Sequence, residues 1–311
     1  MRVTANTFPN ALVDQLGKLA TRQNRLQNQA ATGQRVSLPE DDPAAMRRVM
    51  DFQTESRSLS QFHKNIAVLE DVASASYDGI KALKTINDRA REIAILADDP
   101  RSQKELDTYA TEVNQLIQQA VQITNAQYKG NYLFAGTLSN QPPFVATANA
   151  SGQVTAVAYQ GNVSVAASEI AAGVTVSAQV VGANTTGAGP RGLITDSRSG
   201  ADLFNHLISL QTNLRAGNRA AITATDQANL AQDGENFLVH IGDNGAIQQR
   251  LETTDALAGK RSLSLEKAVS QEADADLAQT IVRLNQTQTA YQAALQSGAR
   301  ILGQSLLDYL R

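Results

Sequence analysis

Leu59, Phe62, Ile66, Leu69, Ala73, Ser76, Ile80 and Leu83 recur at alternating intervals of three and four. Asn87, Ala90, Ala94 and Ala97 continue the same register. A stripe of this kind is the seam of one helix packed along another. Asp41 or Asp42 stands where an N-cap belongs, Pro43 falls in the first turn, and Asp98-Asp99-Pro100 marks the end. The seven prolines lie at 9, 39, 43, 100, 142, 143 and 190, so 44–99, 101–141 and 191–311 contain none. Those intervals can hold long helices, because proline costs about 3 kcal/mol inside one. At 1.5 Å per residue, about 55 residues predict a rod of roughly 80 Å.

Three further stripes follow. One runs through Leu106, Tyr109, Val113, Leu116, Ala120, Ile123 and Gln127, and the break at Pro100 predicts an antiparallel hairpin with the first rod. Another runs through Leu277, Ile281, Leu284, Gln288, Tyr291, Leu295, Gly298, Leu302, Ser305 and Tyr309. The shortest lies near the start, at Leu12, Leu16, Leu19, Gln23, Leu26 and Ala30. Stripes at both ends predict that the N- and C-terminal parts fold against each other.

The middle differs in character. Between Gly130 and Pro190 the only charged residue is Glu169, and alternation such as Val174-Thr-Val176-Ser-Ala178 is punctuated by turn signals at Ser151-Gly152, Gly161-Asn162 and Gly182. Short strands fit this pattern. Helical spacing returns at Leu203, Leu207, Leu210 and Leu214. The expected fold is mainly α with a β-rich insertion. N- and C-terminal segments form a long antiparallel helical rod or coiled-coil bundle, with a small outer β domain. The corresponding boundaries are 1–43 with 270–311 for the terminal helices, 44–138 with 193–269 for the rod, and 139–192 for the insertion.

Composition narrows the function. The 311 residues carry 27 Lys plus Arg against 30 Asp plus Glu, a net charge of −3 that gives no long-range pull toward nucleic acid or an anionic membrane. Cysteine is absent, which excludes disulfides, thiolate catalysis and Cys-ligated metals. There is no Trp, only 5% of residues are aromatic, and 48 are Ala, a composition for helical assembly rather than a pocketed catalyst. Neither an apolar signal-peptide core after Arg2 nor an apolar run of membrane-spanning length occurs. On those rules alone the chain reads as cytoplasmic.

Candidate chemistry is sparse. Gly187-Ala188-Gly189-Pro190-Arg191-Gly192 matches the dinucleotide-loop string, but Pro190 removes an amide and a poor helix start follows, so a Gly-rich interdomain linker is expected. His63, His206 and His240 share no metal spacing. Glu40-Asp41-Asp42 and Asp98-Asp99 abut helix ends, where capping explains carboxylates. Asn149, Asn162, Asn184 and Asn285 open glycosylation-type triplets that arise easily by chance. No catalytic residue, cofactor or metal is expected.

The segment Tyr291–Arg311 is the most informative. Only Arg300, Asp308 and Arg311 carry charge, and Ile301, Leu306, Leu307 and Leu310 spread apolar surface around the helix beyond the stripe. Ala293, Ala294, Gly298, Ala299 and Gly303 would let other helices approach closely. Such a helix needs cover on several sides, more than the short N-terminal helix supplies, so neighbouring subunits are expected to provide the rest. The expected assembly interface comprises Leu12, Leu16, Leu19, Leu26, Leu284, Tyr291, Leu295, Ile301, Leu302, Leu306, Tyr309 and Leu310.

The ending Ala293-Ala-Leu-Gln-Ser-Gly-Ala-Arg-Ile-Leu-Gly-Gln-Ser-Leu-Leu-Asp-Tyr-Leu310 resembles that of the flagellin superfamily, in its hook-associated branch. So do Thr32-Gly-Gln-Arg-Val-Ser-Leu-Pro39 with Asp41-Asp42-Pro43, Gly130-Asn-Tyr-Leu-Phe-Ala-Gly-Thr137, Pro143-Phe144, Tyr159-Gln-Gly-Asn162 and Ala201-Asp-Leu-Phe204. Glu40 departs from the family's common Ser, and Gly298 and Gly303 are read as adding flexibility to the terminal helix. The resemblance implies a non-enzymatic structural adaptor of the bacterial flagellum, assembled with copies of itself as a ring. Its implied partners are hook-associated protein 1, flagellin and an export chaperone, with neither nucleic acid nor membrane. It implies an extracellular location at the hook–filament junction, reached by type III export without a cleaved signal, which replaces the cytoplasmic expectation. Alternatives are a minor flagellin that forms filament itself, or a surface adhesin displayed by the outer domain.

Overall fold

The computed structural model describes residues 7–99 and 101–309, with side chains over 10–99 and 101–300. Its elements run α1 (Thr7–Thr32), α2 (Pro43–Leu96), α3 (Gln103–Thr124), nine short strands from β1 (Gln127–Tyr128) to β9 (Ala201–Asp202), then α4 (Leu203–Ala216). A single turn, α5 (Arg219–Ala221), and a π-helical turn (Ile222–Asp226) lead into α6 (Gln227–Ala273) and α7 (Leu277–Tyr309). The chain divides into two compact units, one from Met1–Ser58 with Lys260–Arg311 and one from Leu59–Gly259. Both α2 and α6 contribute to each.

The helix boundaries follow from caps. Asp42 accepts a hydrogen bond from the Ala45 amide, with Pro43 as the first helical residue of α2, as the sequence predicts. Ser102 and Glu105 form a reciprocal capping box that starts α3. Gly217, at φ 65°, ends α4 in the left-handed conformation.

In the Leu59–Gly259 unit, every stripe position of α2 from Ile66 to Ala97 is buried. The larger core joins Ile80, Leu83, Ile86 and Ile93 of α2 to Leu106, Val113 and Ile117 of α3. Leu203, Phe204, Leu207, Leu210 and Leu214 of α4 and Leu230 and Phe237 of α6 join it, as do Phe134, Phe144, Leu193 and Ile194 from the strand-rich middle. A second cluster packs Ile170, Val176 and Ala178 against Ile66, Leu69 and Ala73 of α2 and Leu251 of α6.

The strands make four small sheets. β1 pairs with β2 (Asn131–Tyr132), β3 (Phe144–Ala148) with β4 (Val154–Tyr159), and β5 (Ser168–Ala171) with β6 (Val174–Val176), all antiparallel. β7 (Val181–Asn184) lies parallel to β8 (Gly192–Asp196), which pairs antiparallel with β9. Here one expectation fails. Gly187–Gly192 is the turn between β7 and β8 rather than an interdomain linker. Buried Asn184 shapes it, donating to the Ala188 and Pro190 carbonyls and accepting from the Thr186 hydroxyl and the Thr186 and Gly187 amides. No room for a glycan exists at that side chain.

Segments far apart in sequence converge beside α4. The Phe144 ring lies 5.0 Å from Tyr159 and 5.3 Å from Phe204, and the Tyr159 hydroxyl donates to the carbonyl of Phe134. A Cβ at residue 182 would stand 2.7 Å from the Tyr159 ring, so only glycine fits.

Candidate assembly surface on the terminal helices

In the unit built from the two chain ends, α1 packs along α7. The α1 side of the seam is as the spacing predicts: Leu26 is buried, and Leu12, Leu16, Leu19, Gln23 and Ala30 are half-buried. The α7 side differs. Its covered positions are Thr280, Leu284, Thr287, Gln288, Tyr291, Ala294 and Gly298, mostly small or polar residues, of which Leu284, Gln288, Tyr291 and Gly298 belong to the predicted stripe. Leu277, Ile281, Val282 and Leu295 keep roughly half their surface exposed. The predicted α7 stripe is therefore covered along one edge only. Leu284, Gln288, Tyr291 and Gly298 lie toward α1, Ile281 and Leu295 flank the seam, and Leu277, one heptad before Leu284, is exposed as the first residue of α7.

The physical reason lies in approach distance. Gly298 is buried against Leu12, whose methyl occupies the space where a Cβ would stand. Small residues bring the helix axes close, and the bulky Ile281 and Leu295 flank the seam instead of entering it. Gly298 thus acts by close packing, not by loosening the helix. Threonines at 280 and 287 escape a search for apolar residues, although small-residue spacing was a usable signal.

Of the expected interface residues, Leu12, Leu16, Leu19, Leu284 and Tyr291 are half-buried between the two helices, Leu26 is already covered, and Leu295 is exposed. Ile301, Leu302, Leu306 and Tyr309 lie on the described backbone of α7, but their side chains fall outside the described residues, as does Leu310 entirely.

A groove of about 660 Å³ runs beside the seam, lined by Val13, Gly17, Lys18, Arg22, Arg25 and Arg283 among others. Asp14, paired with Lys18 at 3.3 Å, is its one carboxylate.

The ends of this helix pair are tied together at the base. The Arg35 amide donates to the Ala273 carbonyl, and the Ala275 amide to that of Gly33, whose φ of 72° turns the chain after α1. Arg48 grips Glu272 through two bonds of 2.9 and 2.8 Å, which holds the Glu272 carboxyl below its ordinary range. Asp41 is lowered by the Leu38 and Ser37 amides, and Asp42 by the Ala45 amide. These carboxylates are spent on caps and turns.

The remaining polar groups are structural as well. His63 contacts Asp255, and His240 Nε2 lies 3.1 Å from the Gly192 carbonyl. His206 Nδ1 lies 2.8 Å from buried Asp233. Asp98 accepts from the Thr223 hydroxyl. Among the described residues no three His, Cys, Asp or Glu side chains cluster to hold a metal, and no helix is long and apolar enough to cross a membrane.

What the surface can do is bind helices. Covering each exposed apolar side chain of α7 would contribute about 1 kcal/mol, so a neighbour spanning several would be held well.

Comparison with known proteins fits this architecture. The family model for the bacterial flagellin N-terminal helical region matches residues 3–139, and that for the C-terminal helical region matches 240–310. The chain is 26% identical over 302 residues to flagellar hook-associated protein 3 of Salmonella typhimurium, covering 92% of each. It is 25% identical over 294 residues to the protein of that name from Escherichia coli, covering 90% of each. The fold is similar to a solved flagellar junction protein from Legionella pneumophila, with a TM-score of 0.56 at 15% identity over 73% of this chain and 100% of that one. Together the two helical regions account for most of the chain, which belongs to the bacterial flagellin family and is a structural, non-enzymatic component of the flagellum that associates with other flagellar parts.

Proposed function

We propose that this protein assembles with copies of itself as a ring at the hook–filament junction, joining hook-associated protein 1 on one side to flagellin on the other. One observation carries the reading: α7 leaves Leu277, Ile281, Val282 and Leu295 exposed outside the seam that α1 covers. A helix apolar on two sides, with one side covered in the single chain, is built to be completed by neighbours. Similarity over nine-tenths of the hook-associated relatives supports the junction position. In this reading residues 1–43 and 270–311 form an inner tube, 44–138 and 193–269 its wall, and 139–192 the outer surface. Leu12, Leu16, Leu19, Leu26, Leu284, Tyr291, Leu295, Ile301, Leu302, Leu306, Tyr309 and Leu310 contribute to the contacts. The chain reaches its extracellular place through the type III channel with an export chaperone, and no signal peptide is cleaved.

A deletion strain tests this directly. Unattached flagellin in the medium, with filaments restored by the full chain but not by a chain lacking 302–311, is the expected result. Full-length filaments on the deletion strain would overturn the junction role. The family match also favours a second reading, a minor flagellin. The purified chain would then polymerise alone into long filaments.

A further inference from the structure

Two buried side-chain bonds join α2 to α6, running in opposite directions. Asn87 Nδ2 on α2 donates to the Leu230 carbonyl on α6 at 2.9 Å, and Asn244 Nδ2 on α6 donates to the Ala73 carbonyl on α2 at 3.0 Å. The interval from 73 to 87 equals that from 230 to 244, two heptads on each helix. Their midpoints are Ile80 and Phe237, both fully buried. The antiparallel pair thus carries a local two-fold arrangement centred on those residues.

Each amide reaches a helix-interior carbonyl because the partner helix is bare there. Ala73 offers only a methyl group. Gly234, one turn beyond Leu230, offers nothing, and a Cβ there would stand 3.1 Å from Asn87 Nδ2. One heptad away in either direction, Ala73 is replaced by Ile66 or Ile80, and Gly234 by Gln227 or Ile241. The rest of the α2 seam is repetitive, with Ile, Leu and Ala at heptad intervals, so the α2 side by itself distinguishes poorly between the native register and one slipped by seven residues, and the choice falls to specific contacts with α6. Stability does not account for Asn87, whose Oδ1 is buried without a partner, which is unfavourable, whereas Asn244 Oδ1 accepts from Gln248. A buried Asn on a seam is instead a known way to select register at a cost in stability.

We propose that Asn87 and Asn244 form a two-point register lock, which holds α2 and α6 at one axial offset by leaving both amides unpaired in any slipped alignment. The device sets one length for the helix pair and does not depend on the flagellar role.

The absence of cysteine makes the test clean. His63 and Asp255 face each other in the native register. The full chain carrying His63→Cys with Asp255→Cys reports that register, and His63→Cys with Gln248→Cys reports a one-heptad slip. Disulfide geometry tolerates Cα separations only to about 7 Å, so the second pair should not close in the native alignment. In an Asn87→Leu/Asn244→Leu background, the slipped cross-link is expected to rise at least about tenfold relative to the native one, with helical content unchanged. Cross-linking of the native pair alone in that background would overturn the lock. Loss of helical content, in the double variant or in Asn244→Leu alone, would also overturn it, because the amides would then be holding the helices together rather than choosing between alignments.

Discussion

Leu12 of α1 fills the space above Gly298 of α7 that a side chain at 298 would need. The contact closes the seam between the first and last helices, and it sets how near their axes come. Gly298→Val should overpack it and destabilise the pair by about 2 kcal/mol. Hydrogen exchange of the α1 amides is the readout, with faster exchange expected in the variant. Adding Leu12→Ala should return part of the protection, because the two positions are coupled through one contact.

The Asp196 carboxylate gives an acid dependence. Burial pushes it up, but the Arg198 guanidinium and the Gly192 and Arg198 amides pull it further down, to about 2. Its folded value lies below the ordinary one of 3.8, so the stability it contributes is present above that pH and lost as pH falls toward 2. The size is at most about 2 kcal/mol, since Arg198 is partly exposed and screened. Denaturant midpoints of the parent and Asp196→Asn should differ at pH 7 and converge near pH 2.

His206 behaves in the opposite sense. Burial lowers it, yet the bond to Asp233 and the charges of Asp233, Asp202 and Asp226 outweigh that and raise it above 6.5. Its contribution is therefore complete below 6.5 and is lost as pH rises through the folded value. His206→Gln should remove the part of the stability decline between neutral and alkaline pH that belongs to this pair. An unchanged profile in that variant would mean that the imidazole stays neutral.

Asn184 holds the β7–β8 turn through five bonds. Asn184→Ala removes all five bonds from a partly exposed turn and should cost about 2 kcal/mol. Limited proteolysis should then cut between 185 and 191, where the parent resists.

The α2 stripe was legible because its seam is apolar or small at almost every position, and the structure buries it from Ile66 to Ala97. The α6 seam was not. It is as long, but Asp233, His240 and Asn244 interrupt Leu230, Phe237 and Leu251, so no apolar period stands out. Those polar residues are satisfied by groups distant in sequence: Asp233 by His206 and the Asp202 amide, Asn244 by the Ala73 carbonyl. On α7 the covered seam runs through Thr280, Thr287 and Ala294, small or polar residues that an apolar period passes over.

By itself, then, the sequence determined the helical segments at both ends, an aspartate cap at the start of α2, the strand-rich middle and the surplus apolar surface of the last helix. Each depends on local spacing, backbone preference or composition. Tertiary structure decided which face of α7 meets α1, where the α6 seam runs, and that Gly187–Gly192 turns within a sheet. These depend on approach distances and on hydrogen-bond partners supplied from elsewhere in the chain, such as Leu12 above Gly298 and the Ala73 carbonyl before Asn244.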